Sequence, residues 1–208
     1  MKSLGLNGKQ RKNENYHSYK GEVGKVADNI LQRDFHASKP FEKLTTDVTQ
    51  FKIFDERVYL SPVMDLFNNE IISYSISTSP NLYQIREMLD SLFTKLPDGE
   101  TPILHSDQGW QYQHAEYQRK LAEHNIIQSM SRKGNCMDNG AMENFFGRLK
   151  VAMFYSEKFD SAASFIEQLN HYIDYYNNER ISLKLKENEP CAIPNSFTCK
   201  LILNLVFT

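Results

Sequence analysis

His105-Ser106-Asp107-Gln108-Gly109 and Asp138-Asn139-Gly140-Ala141-Met142-Glu143-Asn144-Phe145-Phe146-Gly147-Arg148-Leu149-Lys150 are the stretches whose reading decides the fold, with 35 residues between Asp107 and Glu143. The first closes a short apolar run, Ile103-Leu104, that reads as the end of a strand. The second reads as an amphipathic helix with Glu143 one turn inside it and Asp138 or Asn139 as N-cap. Upstream, Thr45-Thr46-Asp47-Val48-Thr49 sets a third carboxylate in a β-branched run, expected as a strand over 44–51. Three carboxylates on three elements form an oxygen-only donor set. A hard cation such as Mg²⁺ takes such donors and keeps positions for water and phosphate.

Outward from these stretches the hydrophobic pattern sets out a meander followed by alternating helices and strands. Residues 57–64 read as a second strand, weakened by Pro62, which has no N–H for a ladder. Residues 70–78 read as a third, with Ile72, Tyr74 and Ile76 on one face. Leu82, Ile85, Leu89 and Leu92 recur at helical spacing. A strand at 102–106, a helix at 113–124, a strand at 126–130 and a polar loop at 131–137 follow. The Glu143 helix runs to about 155, with Phe145, Leu149, Ala152 and Met153 as its core stripe. A last helix over 161–178 presents Phe165, Leu169, Tyr172 and Tyr176. This order predicts a mixed five-stranded sheet flanked by helices over 41–180. Residues 1–40 read as a basic, flexible arm with a short helix over 21–32, and 181–208 as a tail.

The motifs resemble the D,D(35)E signature of transposases and retroviral integrases, in particular the second reading-frame product of bacterial insertion sequences with an integrase-like core. The resemblance runs from about Tyr16 to Pro190. It includes Ser-Tyr-Lys-Gly-Glu-Val-Gly-Lys at 18–25, Asn29 to Phe35, Thr-Asp-Val-Thr at 46–49, His-Ser-Asp-Gln-Gly at 105–109, Ser-Arg-Lys-Gly-Asn at 131–135 and Tyr-Asn-Asn-Glu-Arg at 176–180. It implies the ribonuclease H-like fold, whose first and fourth strands lie side by side. Asp47 and Asp107 then share one edge of the site, and the helix brings Glu143 across.

The implied chemistry is two-metal catalysis with Mg²⁺, or Mn²⁺ in its place. The two ions activate an attacking oxygen and stabilise a leaving one during in-line displacement. Asp47 and Asp107 are expected as ligands, one bridging both ions, and Glu143 as ligand to the second. Water, then a DNA 3′-hydroxyl, serves as nucleophile, so one site nicks an element end and joins it to another phosphodiester. Taken singly, each carboxylate reads equally as a surface group or helix cap. Asp65 and Asp138 are expected to be structural, as turn residue and cap.

Composition agrees with such a partner only when divided. The net charge of −2 splits into +4 over 1–43, −6 over 44–130, +2 over 131–158 and −2 over 159–208. Positive charge therefore sits on the arm and around the Glu143 helix, where DNA attracts it without reading sequence. Arg132, Lys133 and Asn135 form a basic loop that reads either as a DNA grip or as plain surface. Arg148 lies on the helix and is expected as a further DNA contact. Lys150 stacks about 10 Å from Glu143 along the axis, with Gly147 between, and reads as a phosphate contact by resemblance or as a solvated lysine without it. Arg180 reads as a DNA contact or a helix anchor. Trp110 and Tyr112 read as packing rather than as base-stacking platforms, and His105 as turned away from the carboxylates.

Cys136, Cys191 and Cys199 are odd in number and lack a metal spacing, which fits a reducing compartment. No apolar run reaches the ~20 residues of a membrane span. The expected setting is the bacterial cytoplasm, at the nucleoid. The expected partners are element ends, target DNA, further copies of the chain and a separate helix-turn-helix reading-frame product. Two departures stand out. Leu44 replaces the family's usual tryptophan, and the ending after Pro190 suggests a shifted frame or truncation. They leave a second hypothesis, a weak or inactive DNA-binding remnant, and a third, a nuclease for RNA–DNA hybrids.

Overall fold

Two segments, β1 (Lys43–Thr46) and β2 (Thr49–Ile53), stand where one strand over 44–51 is expected. The computed structural model describes residues 24–180. Both segments pair antiparallel with β3 (Glu56–Asp65), and Thr46↔Val63 and Thr49↔Leu60 keep one register. Asp47 and Val48 are therefore a two-residue gap in a single row, opposite Pro62 and Ser61. The Pro62 carbonyl accepts a hydrogen bond from Thr46 Oγ1 at 2.8 Å. Its ring nitrogen faces the same edge, so the missing donor falls at the gap and no ladder bond is lost.

On its other edge β3 pairs with β4 (Ile71–Ser77). The register shifts between Val63↔Ser73 and Met64↔Ile71, which leaves Ile72 as an extra, bulged residue. Ile71, Tyr74 and Ile76 pack on one face and Ile72 on the other. This corrects the expectation that Ile72 shares a face with Tyr74 and Ile76, because a bulge breaks the period of two. β5 (Ile103–Ser106) runs parallel to β1, and β6 (Ile127–Met130) parallel to β5. The mixed sheet thus has six segments in the five expected rows.

One face is covered by α1 (Leu82–Phe93), α2 (Trp110–Gln113) and α3 (Ala115–Glu123). α3 is the helix expected over 113–124, and the short α2 precedes it; between them His114 has an extended backbone (φ −70, ψ 137) that lets its ring cap Glu116 N–H at 3.3 Å. Leu44, Val63, Met88, Leu89 and Leu104 are the sealed centre of this face. The other face carries α4 (Gly140–Leu149) and α5 (Ala162–Asn178), over Phe51, Leu60, Phe145, Leu149, Phe165 and Leu169. After Leu149 the chain widens into a π turn, Lys150–Phe154, in which Tyr155 N–H reaches the Lys150 carbonyl at 2.8 Å. The wider turn keeps Met153 buried but rotates Ala152 into solvent, so Ala152 is not part of the expected core stripe.

Residues 24–40 contain no helix, contrary to the expectation over 21–32 for the part described. They form an extended strap. Ile30 and Leu31 N–H donate to Ser129 Oγ at 2.9 and 3.2 Å, and Leu31 and Ala37 pack on Leu66. The rest of the expected arm and the tail over 181–208 lie outside the described residues. Among the described residues no helix is long and apolar enough to cross a membrane.

Phe165 is fully buried between Phe51 and Phe159, with ring centroids 4.9 Å away in each case. Phe165→Ala is expected to cost about 3–5 kcal/mol, by lost transfer energy plus the cavity left behind. Urea unfolding followed by far-ultraviolet circular dichroism measures this. A cost below about 1 kcal/mol would mean that this side of the sheet does not carry the fold.

Candidate active site

Asp47 occupies the gap after β1, and Asp107 follows the last residue of β5. Because β1 and β5 are parallel neighbours, both carboxylates leave the sheet at the same end. Val48 N–H donates to Asp47 Oδ1 at 2.7 Å, and Gly109 N–H donates to Asp107 Oδ1 at 2.8 Å. The glycine matters because a Cβ there would come within 2.9 Å of that same carboxylate oxygen. Glu143 lies in the first turn of α4.

Electrostatics ties the three together. Burial raises the Asp47 carboxyl well above the usual range, Asp107 and then Glu143 push it further, and Val48 N–H and Lys150 oppose them. Burial also raises Asp107, against the pull of Gly109 N–H. Crowded carboxylates of this kind bind a cation that relieves their repulsion, and their oxygen chemistry suits a hard divalent ion. Among the described residues, however, no three His, Cys, Asp or Glu side chains converge closely enough to hold a metal ion.

Two models described as integrase core domain match residues 37–136 and 143–197. The first contains Asp47 and Asp107, and the second starts at Glu143 and extends past Pro190, beyond the end of the motif resemblance. A transposase-like protein of Haemophilus influenzae is 54% identical over 91% of this chain and 87% of its own length. InsK of Escherichia coli K12, named as a transposase for insertion sequence element IS150, is also 54% identical, over 86% of this chain. The chain belongs to the integrase-core transposases of insertion sequences. It spans 64% of the length of InsK. Among solved structures, the HTLV-2 integrase catalytic core in complex with magnesium superposes with a TM-score of 0.53 at 18% identity, over 70% of this chain and 92% of that one. The ribonuclease H-like fold follows from such neighbours.

In this transposase the residues just before Glu143 do not cap its helix. No side-chain cap is made by Asn139, and Asp138 is fully buried among cations instead. Asp138 accepts from Arg132 Nε and Nη2, each at 2.9 Å, from Arg132 N–H at 3.0 Å, from Arg33 Nε at 2.6 Å and from Asn29 Nδ2 at 3.1 Å. The Arg132 guanidinium, helped by Arg33, holds the Asp138 carboxyl well below its usual range despite its burial. The cap expected of Asp138 is replaced by an ion-pair clamp that joins the strap, the 131–135 loop and the 3-10 turn Cys136–Asn139 that leads into α4. Asp65 is structural as expected, accepting Phe41 and Phe67 N–H at 2.9 Å each.

The basic residues divide into groups. Arg132 is committed to Asp138, although its side chain stays 58% exposed, and Lys133 beside it is exposed. Asn135 is half-buried and turns the loop, its N–H donating to the Arg132 carbonyl at 3.1 Å. Lys150 acts on Asp47 and holds Nζ 5.8 Å from the centre of the Phe51 ring. Arg148 and Arg180 sit elsewhere, both beside Tyr172 and Tyr176 of α5, with Arg180 5.3 Å over the Tyr176 ring. Tyr112 is fully buried, so it packs, as expected. His105 is fully buried with Nδ1 2.8 Å from Ser129 Oγ, and burial pushes it down to about 4, so it is neutral and serves the strap anchorage.

Sequence reasoning missed Arg33 and the amide of Asn139. No local signal could have found them, because their partners lie on segments distant in the chain.

Asp138→Ala is expected to lower stability at pH 7 by about 1.5–3 kcal/mol through lost charged hydrogen bonds. A carboxyl held below its ordinary value of 3.8 stabilises the fold above that pH, so the difference from the parent should shrink as pH falls through and below it. Urea unfolding across that range measures both. A difference independent of pH would remove the clamp from the account.

Proposed function

We propose that this chain is the catalytic domain of a transposase that nicks insertion-sequence ends and transfers the freed 3′-hydroxyl to another DNA phosphodiester. One observation carries the reading. Asp47 and Asp107 leave two adjacent parallel strands at the same end of the sheet, and Glu143 lies in the first turn of α4. In this proposal Asp47 and Asp107 hold divalent cations, Mg²⁺ or Mn²⁺, one of them bridging two ions. Glu143 completes the set as α4 closes on the strands. The bound ions supply activation of the attacking oxygen and stabilisation of the leaving one. Val48 and Gly109 N–H fix one oxygen of each aspartate, leaving the other to turn towards a cation. Lys150 offsets part of the negative charge and steers a phosphate in. Lys133, Arg132, Asn135, Arg148 and Arg180 follow the DNA backbone. The chain works on DNA as a homo-oligomer in the bacterial cytoplasm at the nucleoid, alongside a separate helix-turn-helix product.

The second reading, a weak or inactive DNA-binding remnant, is favoured by one fact: no three metal-ligating side chains converge among the described residues. A labelled oligonucleotide carrying a matched element end separates the readings. With Mg²⁺ or Mn²⁺ the parent is expected to nick and join, and Asp47→Asn or Asp107→Asn to lose on the order of a thousandfold or more, several kcal/mol of barrier. Binding without nicking under either ion supports the remnant. Cleavage of RNA–DNA hybrids without joined products supports the hybrid nuclease.

The backbone contacts make a separate prediction. Lys133→Ala and Arg148→Ala should each weaken binding about equally for any sequence. Each should reduce the slope of log affinity against log salt by about one. Filter binding at several salt concentrations reads this, and an unchanged slope removes the residue from the interface.

A further inference from the structure

We infer that Asn139 is a positioning residue that sets where Glu143 stands relative to Asp47, with Thr45 acting through it. This rests on the reading of the three carboxylates as ligands of one cation site.

Asn139 immediately precedes α4, where an asparagine ordinarily turns back to cap the helix. Here its side chain leaves the helix and crosses to β1. Its residue is only 3% exposed. Nδ2 donates to the Thr46 carbonyl at 3.1 Å, and Oδ1 accepts from Thr45 Oγ1 at 2.5 Å. A carbonyl can only accept, so the Thr46 contact fixes which end of the amide is the nitrogen. Both threonines are fully buried, and Thr46 is bonded directly to Asp47.

The connection between the two carboxylates is therefore short. From Asp47 it passes through the Thr46 carbonyl to the Asn139 amide, then up one turn of helix to Glu143. A helical turn is stiff, so Glu143 inherits the placement of Asn139. Asp138, one residue earlier, is tied to Arg132 and Arg33, which stops the front of the helix from pivoting about the amide. A planar group that donates at one end and accepts at the other is needed at this position. An alanine does neither, and an aspartate would set an oxygen against the Thr46 carbonyl. The same geometry explains why the side chain does not cap its helix: it spends its hydrogen bonds on holding the helix to the strand.

The full chain is compared with Thr45→Val, Thr45→Ser and Asn139→Leu. Two quantities are read: Mn²⁺ affinity, from the free-ion electron paramagnetic resonance signal, and nicking of the element-end oligonucleotide. Thermal melting monitors folding. Thr45→Val keeps the shape and removes the hydroxyl, whereas Thr45→Ser keeps the hydroxyl. Asn139→Leu and Thr45→Val are expected to weaken Mn²⁺ binding by about ten- to a hundredfold, as loss of groups that orient metal ligands does. They should lower kcat with little change in KM, and Thr45→Ser should restore both. Should Asn139→Leu fail to fold, the valine and serine pair decides alone. Variants that bind Mn²⁺ like the parent overturn the positioning role, whatever happens to their melting temperature. A parent that binds no Mn²⁺ overturns the functional reading and this inference with it.

Discussion

The fold depends on a single uninterrupted register across an interrupted strand. β1 and β2 meet β3 as if no gap lay between them, so the pleat alternates correctly on both sides of Asp47 and Val48. A slip of one residue would exchange the buried and exposed faces of β2 and turn Phe51 towards water, and in β1 it would carry Leu44 to the opposite face of the sheet. The gap frees Asp47 from the ladder without loosening the sheet. Proline at 62 is compatible with that place because the facing edge has no ladder bond to lose. A residue that looks disruptive in a central strand is accommodated by the same break that presents the carboxylate.

Around that gap the charges are arranged at some cost to the folded state. Asp47 and Asp107 are both raised by burial, and Asp47 also by its neighbours, so each would be more comfortable in water. A fold that crowds acids in this way is organised for something other than its own stability. In the proposed reading, a divalent ion at this end of the sheet would convert repulsion into coordination. The π turn after α4 belongs to the same arrangement. It begins at Lys150, the cation that opposes the rise of Asp47.

The strap over 24–40 shows how far support for the site reaches. Ser129 receives two strap N–H groups and meets the neutral His105, two residues before Asp107. Arg33 and Asn29 reach Asp138, five residues before Glu143. Segments distant in the chain are thereby fastened to the elements that bear two of the carboxylates. Arg132, expected at a DNA surface, is drawn into this fastening while much of its side chain remains in solvent.

Local sequence determined a good deal by itself. β-branched runs around Thr45 and Thr46 and apolar periodicity in 82–92 and 161–178 are short-range signals from which strands and helices follow, and the ordered motifs around Asp47, Asp107 and Glu143 carry the resemblance to the family. The break at Asp47, the bulge at Ile72 and the outward turn of Ala152 were decided by tertiary structure. Each depends on the register or packing of a partner that a local window does not contain. The use of Asp138 and Asn139 is the clearest case. As isolated residues ahead of a helix both favour capping, but burial beside Arg132 and Arg33 in one case and Thr45 and Thr46 in the other offers stronger partners. Hydrogen bonds form where the folded chain puts donors, and no pattern along the sequence can say which donors those will be.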